Sequence, residues 1–131
     1  MSRTNDASQS SSTGLAVEEL RRDNPDLLGA LVVDGRGAIR AADATTTGVV
    51  EAAVALVVPA RELLDRVAAE LGCGAIKSFV LEGDRASMAF ADIDGSSTAI
   101  VIGNNGSAPG ALRSDALNLS ERVGRRGGMA S

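Results

Sequence analysis

The sequence predicts an α+β domain, a five-stranded antiparallel sheet covered by helices in the order α-β-β-α-β-β-β-α. Three observations carry this. Short apolar runs of strand length recur, and the turns inside each group of them are too short for a crossover helix, which dictates antiparallel pairing. Other segments space their apolar residues at i, i+3 and i+4, as one face of a helix does. Hairpin-linked strands with helices interspersed build a sheet with helical cover.

Residues 1–13 are rich in Ser, Asn and Asp, lack periodicity, and read as a disordered tail. Residues 15–22 form a short helix with a partial stripe of Leu15, Val17 and Leu20, and Asn24-Pro25 ends it. The apolar run over 28–33 is the first strand. Asp34-Gly35-Arg36-Gly37 reverses the chain, because glycine tolerates positive φ, and residues 38–42 return as the second strand. Thr47 is a candidate N-cap for a long helix over 48–71. On it Val50, Val54, Val57, Leu64 and Leu71 lie near one stripe, and Val49, Ala53, Leu56, Ala60, Leu63 and Val67 lie on the next. Pro59 lacks an N–H and crowds the carbonyl of Ala55, so a kink or break is expected there. Gly72 suits the position just past the helix end.

Three strands follow over 75–81, 86–93 and 97–102, separated by Gly-containing turns. Alternation puts Met88 and Phe90 on one face and Ser87, Ala89 and Ala91 on the other. A last helix over 109–123 opens on Pro109 and spaces Leu112, Ala116, Leu119 and Val123 helically. Residues 124–131 read as a flexible tail, which leaves 14–123 as the domain.

Composition excludes several functions. Apolar residues make up 44% of the chain but aromatics only 2%, Phe79 and Phe90, so base stacking on an aromatic platform has no basis. A net charge of −4 gives no bulk attraction to nucleic acid or anionic membrane. The absence of histidine removes Ser-His-Asp and Cys-His nucleophiles and His-ligated zinc. No apolar stretch approaches the roughly 20 residues of a spanning helix. Cys73 is the single cysteine, so no internal disulfide forms. With no secretory leader expected, this suits a reducing, cytoplasmic setting.

The motif fragments lack the residues their chemistry needs. Gly72-Cys-Gly-Ala-Ile-Lys-Ser78 lacks the glycine before the lysine of a phosphate loop and leads into a strand rather than a helix. Asp92-Ile-Asp-Gly95 lacks the later ligands of a calcium loop and reads as a hairpin turn, as do Asp34 and Asp84. Cys73 reads as a small buried hydrophobe. Arg36, Arg40, Arg125 and Arg126 read as solvated surface charges. No catalytic, cofactor or metal residues are assigned. What resists so plain a reading is the helix over 48–71. Two adjacent apolar stripes exceed the roughly 100° that a one-sided helix needs and imply a second burial partner besides the sheet. A second copy of the chain is the simplest partner.

The stretch Val17-Glu18-Glu19-Leu20 leading to Pro25, then Leu28-Gly29-Ala30-Leu31-Val32-Val33-Asp34 with Gly37 closing the turn, resembles the opening of the Roadblock family of dynein light-chain-like proteins. The element order continues the resemblance to about Val123. It implies a roadblock/profilin-like fold and a homodimer in which the second helices pack together and the third strands pair. Carried over, the interface would comprise Val50, Val54, Val57, Arg61 and Leu64 of the helix, with Ala75, Lys77, Phe79 and Leu81 of the edge strand. The resemblance also implies a non-catalytic regulator or scaffold for a small Ras-like GTPase or other signalling protein. The alternatives are an assembly module pairing with another roadblock-like chain, and a small-molecule sensor, neither involving a GTPase. Nucleic acid and membrane insertion are not expected.

Overall fold

The computed structural model describes residues 2–45, 47–104 and 106–130, with side chains over 12–45, 48–104 and 106–124. The elements are α1 (Ser2–Asp23), β1 (Leu27–Val33), β2 (Ile39–Ala44), α2 (Thr47–Leu71), β3 (Ser78–Glu82), β4 (Ala86–Asp92), β5 (Thr98–Asn104) and α3 (Pro109–Ala130). This is the predicted order. The strands form one five-stranded antiparallel sheet, β2-β1-β5-β4-β3, with β2 and β3 at its edges.

Each face of the sheet builds its own core. On one face Ala30, Val32, Ala89, Ala91, Ala99 and Val101 meet Ala16, Val17 and Leu20 of α1 and Leu112, Ala116, Leu119 and Val123 of α3. The alanines let both helices sit close to the strands. On the other face Leu31, Val33, Phe90, Ile100 and Ile102 meet Ala53 and Val57 of α2. The predicted alternation along β4 matches this division. Strands β1 and β5 are covered on both faces, which is why they read as continuous apolar runs. A register shift between Leu27 and Gly29 places Leu27 on the same face as Ala30.

The turns follow the sequence. The Asp34 carboxylate accepts the amide N–H groups of Arg36 (2.9 Å) and Ala38 (3.0 Å), and Gly37 adopts φ +90°. Gly72 closes α2 at φ +73°.

The helix lengths differ from expectation. Helical backbone covers 2–13 and 124–130, where loose tails are expected. Among these residues Thr13 is buried, and nothing in 2–13 is a proline or glycine that would stop a helix already anchored by Val17 and Leu20. The capping expected of Thr47 and the roles weighed for Arg125 and Arg126 fall on side chains outside the described residues. Strand β3 begins at Ser78, three residues later than expected, because Gly74 takes φ +78° and delays entry into the sheet. Helix α2 is continuous through Pro59. Both Pro59 and Ala55 are exposed, so the carbonyl that loses its partner meets water. Cys73 is exposed, not buried, since it lies between two positive-φ glycines beyond the end of α2. No helix of the described residues is long and apolar enough to cross a membrane.

Candidate functional site

Helix α2 has an inner and an outer apolar face. Inward, Ala53 and Val57 are buried, and Val49, Val50, Val54 and Val58 are half-buried against the sheet. Outward, Leu56 is 65% exposed, Leu63 55%, Val67 44% and Leu71 73%. Leu56, Ala60, Leu63 and Val67 follow at steps of four, three and four residues, the spacing with which one helix seats against another. Leucines left in water on this scale within one stripe mark a binding surface.

The stripe leads toward β3. Val58 flanks α2 on the β2 side, beside Gly37. Leu64 lies on the opposite flank and shares a crevice with Ile76 and Phe79. Helical spacing puts Ala60, Val67 and Leu71 next to Leu64. Strand β3 then supplies Phe79, whose ring centroid is 4.4 Å from that of Phe90, and Leu81, which is opposite Met88 and 58% exposed. Among the described residues no strand lies beyond β3, so its outer backbone groups are open to pairing. The opposite edge differs. Strand β2 carries Arg40 and Asp43, and Asp43 pairs with Arg21 of α1 at 2.7 Å.

The predicted interface residues therefore divide. Val50, Val54 and Val57 face the chain's own sheet. Arg61 also turns inward. Its guanidinium donates to Thr98 Oγ1 (2.8 Å), the Ser97 carbonyl (3.2 Å), the Ser96 carbonyl (3.3 Å) and Asp92 Oδ1 (2.7 Å). Leu64, Phe79 and Leu81 border the open surface. Ala75 and Lys77 are exposed but precede the strand. Leu56, Leu63, Val67 and Leu71 complete the surface and were missing from the residues carried over. Pro59 held the signal for them. A proline in a continuous helix belongs on the side where the freed carbonyl reaches water, and that side carries Leu56 and Leu63.

Nothing in this region resembles a reacting centre. Asp92 Oδ2 accepts the Gly95 amide at 2.9 Å, and Asp94 Oδ1 accepts those of Ser96 (3.1 Å) and Ser97 (2.8 Å). The Ser97 amide chiefly holds the Asp94 carboxyl below its usual range, and the Ala38 and Arg36 amides do the same for Asp34. Both are turn anchors. Burial raises Asp115, in α3, instead. Among the described residues no group of three His, Cys, Asp or Glu side chains is placed to hold a metal ion.

No protein-family model matches the chain, and no curated protein matches it in sequence. Solved structures do match its shape. MglB of Myxococcus xanthus superposes with a TM-score of 0.82 at 15% identity, over 93% of this chain and 92% of that one. An MglB in a tetrameric arrangement gives 0.81 at 16%, over 94% and 93%. A Roadblock/LC7 domain from Streptomyces avermitilis gives 0.76 at 15%, over 88% and 97%. Profilins share the arrangement less closely. The chain thus has the roadblock/profilin-like fold that its sequence predicts.

Proposed function

We propose that this chain is a non-catalytic, self-associating scaffold or regulator that binds a small Ras-like GTPase in the cytoplasm. The observation that carries the reading is the outer apolar stripe of α2, Leu56, Leu63, Val67 and Leu71, continued through the crevice of Leu64, Ile76 and Phe79 to the edge strand β3. Two copies related by a two-fold axis would bury the stripes against each other and pair the β3 edges. That would remove leucine surface from water and satisfy the strand's free backbone groups in one step. The shared fold supports this, since one MglB of that fold is an oligomer.

The GTPase as partner rests on the Roadblock resemblance. A dimer of this shape acts by holding its partner's switch loops in one arrangement. If it binds one nucleotide state better than the other, it shifts the population toward that state. No arginine finger is assigned to Arg61, because its donors are engaged within the chain.

The test is affinity capture from the source cell with lysate loaded with GTP analogue or GDP. Recovery of a GTPase in one nucleotide state supports the reading. Recovery of only a different roadblock-like chain replaces it with the assembly module. A ligand that raises thermal stability, with no protein captured, favours the small-molecule sensor.

A further inference from the structure

We propose that Arg61 and Asp92 form a clasp that fixes α2 relative to the β3 edge, so that the two halves of the self-association surface stay in line. The inference rests on the self-association reading above. Its basis is the way α2 is held. The backbone of α2 comes close to β1 and β2 alone among the strands. Yet the apolar surface joins α2 to β3, which is at the far edge of the sheet. Apolar packing of Val57 and its neighbours sets the depth of the helix but is non-directional, and a helix can slide or rotate on such a face.

Among the described residues Arg61 is the one α2 side chain that hydrogen-bonds to the sheet. It does so with both terminal nitrogens. Nη1 reaches Thr98 and the Ser96 and Ser97 carbonyls, while Nη2 pairs with Asp92 at 2.7 Å. Guanidinium and carboxylate are 17% and 25% exposed, enough to shed much of the water that weakens surface pairs.

Asp92 is in turn a junction. Its amide donates to the Lys77 carbonyl (2.8 Å), which fixes the chain just before β3. Its carboxylate holds the Gly95 amide of the β4–β5 turn, and its carbonyl accepts the Ser120 hydroxyl of α3. One residue thus ties α2, the entry to β3, the β4–β5 turn and α3 together. Moving α2 breaks the clasp, and breaking the clasp frees α2 to move against β3. Arg61 is a positioning residue for the surface, not a contact within it.

Cys73 supplies the test. It is the chain's only cysteine, exposed, and just beyond α2, so a single spin label there reports α2-to-α2 geometry in the self-associated protein. Pulsed electron resonance on the labelled full chain should give one narrow inter-label distance. Arg61→Met should broaden or shift that distribution and weaken association about tenfold, with the circular dichroism spectrum retained. Arg61→Lys should recover part of both, because an ammonium keeps the charge but lacks the fork. Thr98→Val, which removes one acceptor at little change in volume, should move both readouts the same way by less, and it serves if Arg61→Met fails to fold. Identical distributions and affinities in wild type and the variants would overturn the clasp alone. No inter-label coupling in wild type would overturn the self-association reading, and the clasp's role with it.

Discussion

Leu63→Ala is the sharpest single perturbation of the proposed surface. Full burial of a leucine side chain is worth about 1.5–3 kcal/mol. Leu63 keeps 55% of its exposure in the single chain, so association has roughly half of that left to gain. A two-fold interface counts the residue twice, which brings the loss to about 1.5–3 kcal/mol per dimer. At about 1.4 kcal/mol per tenfold, Kd should rise roughly 10- to 150-fold. The side chain touches little of its own core, so the folding of the single chain should change by less than about 0.5 kcal/mol. Sedimentation velocity over a dilution series reads the first number, and urea denaturation below the dissociation range reads the second. A wild type that self-associates with a Leu63→Ala variant of equal affinity would refute the placement of the surface. A variant that loses several kcal/mol of folding stability would show that Leu63 belongs to the core.

Other substitutions probe the packing and the turns. Gly103→Ala should destabilise by roughly 1–3 kcal/mol, because the added methyl would overlap Ser107 and come within 2.8 Å of Leu112 Cδ2; the urea midpoint measures it. Asp115 has its pKa raised by burial, so the folded chain binds that proton more tightly than the unfolded one, and its contribution to stability falls as pH rises through the folded value. Asp115→Asn should therefore raise Tm at pH 7 and change little near pH 3. Asp34 has the opposite sign: its folded pKa is lowered, chiefly by the Ala38 amide, so its contribution is present above the ordinary value near 3.9 and lost as pH falls through the folded one. Asp34→Ala should lower Tm at pH 7, with the difference from wild type closing in strong acid.

The element order, the two faces of β4 and the turn at Asp34–Gly37 were legible because each depends on local rules: alternation, helical spacing and positive φ at glycine. The assignment of α2's faces was not. Two adjacent apolar stripes satisfy the same periodicity, and the spacing alone does not say which one meets the sheet. Val49, Val50, Ala53, Val54 and Val57, drawn from both stripes, went inward, while Leu56, Leu63, Val67 and Leu71 stayed out. Arg61, carried over to the interface from the family resemblance, turns inward here because its acceptors, 31–37 residues away in sequence, converge on it. Asp92 was rightly read as a turn residue, but its junction role depends on Lys77, Ser120 and Arg61 converging, which no local pattern encodes. The start of β3 turned on the backbone of Gly74, and the reach of α1 and α3 on helices propagating outward from packed turns.

If the chain self-associates as proposed, the leucines of α2 are covered in solution. Light scattering coupled to refractive index suits a chain without Trp or Tyr and gives the mass directly. A mass of twice the chain, unchanged on dilution through the micromolar range, is the predicted result. A stable monomer at every concentration would contradict it and leave the stripe to a partner of different sequence.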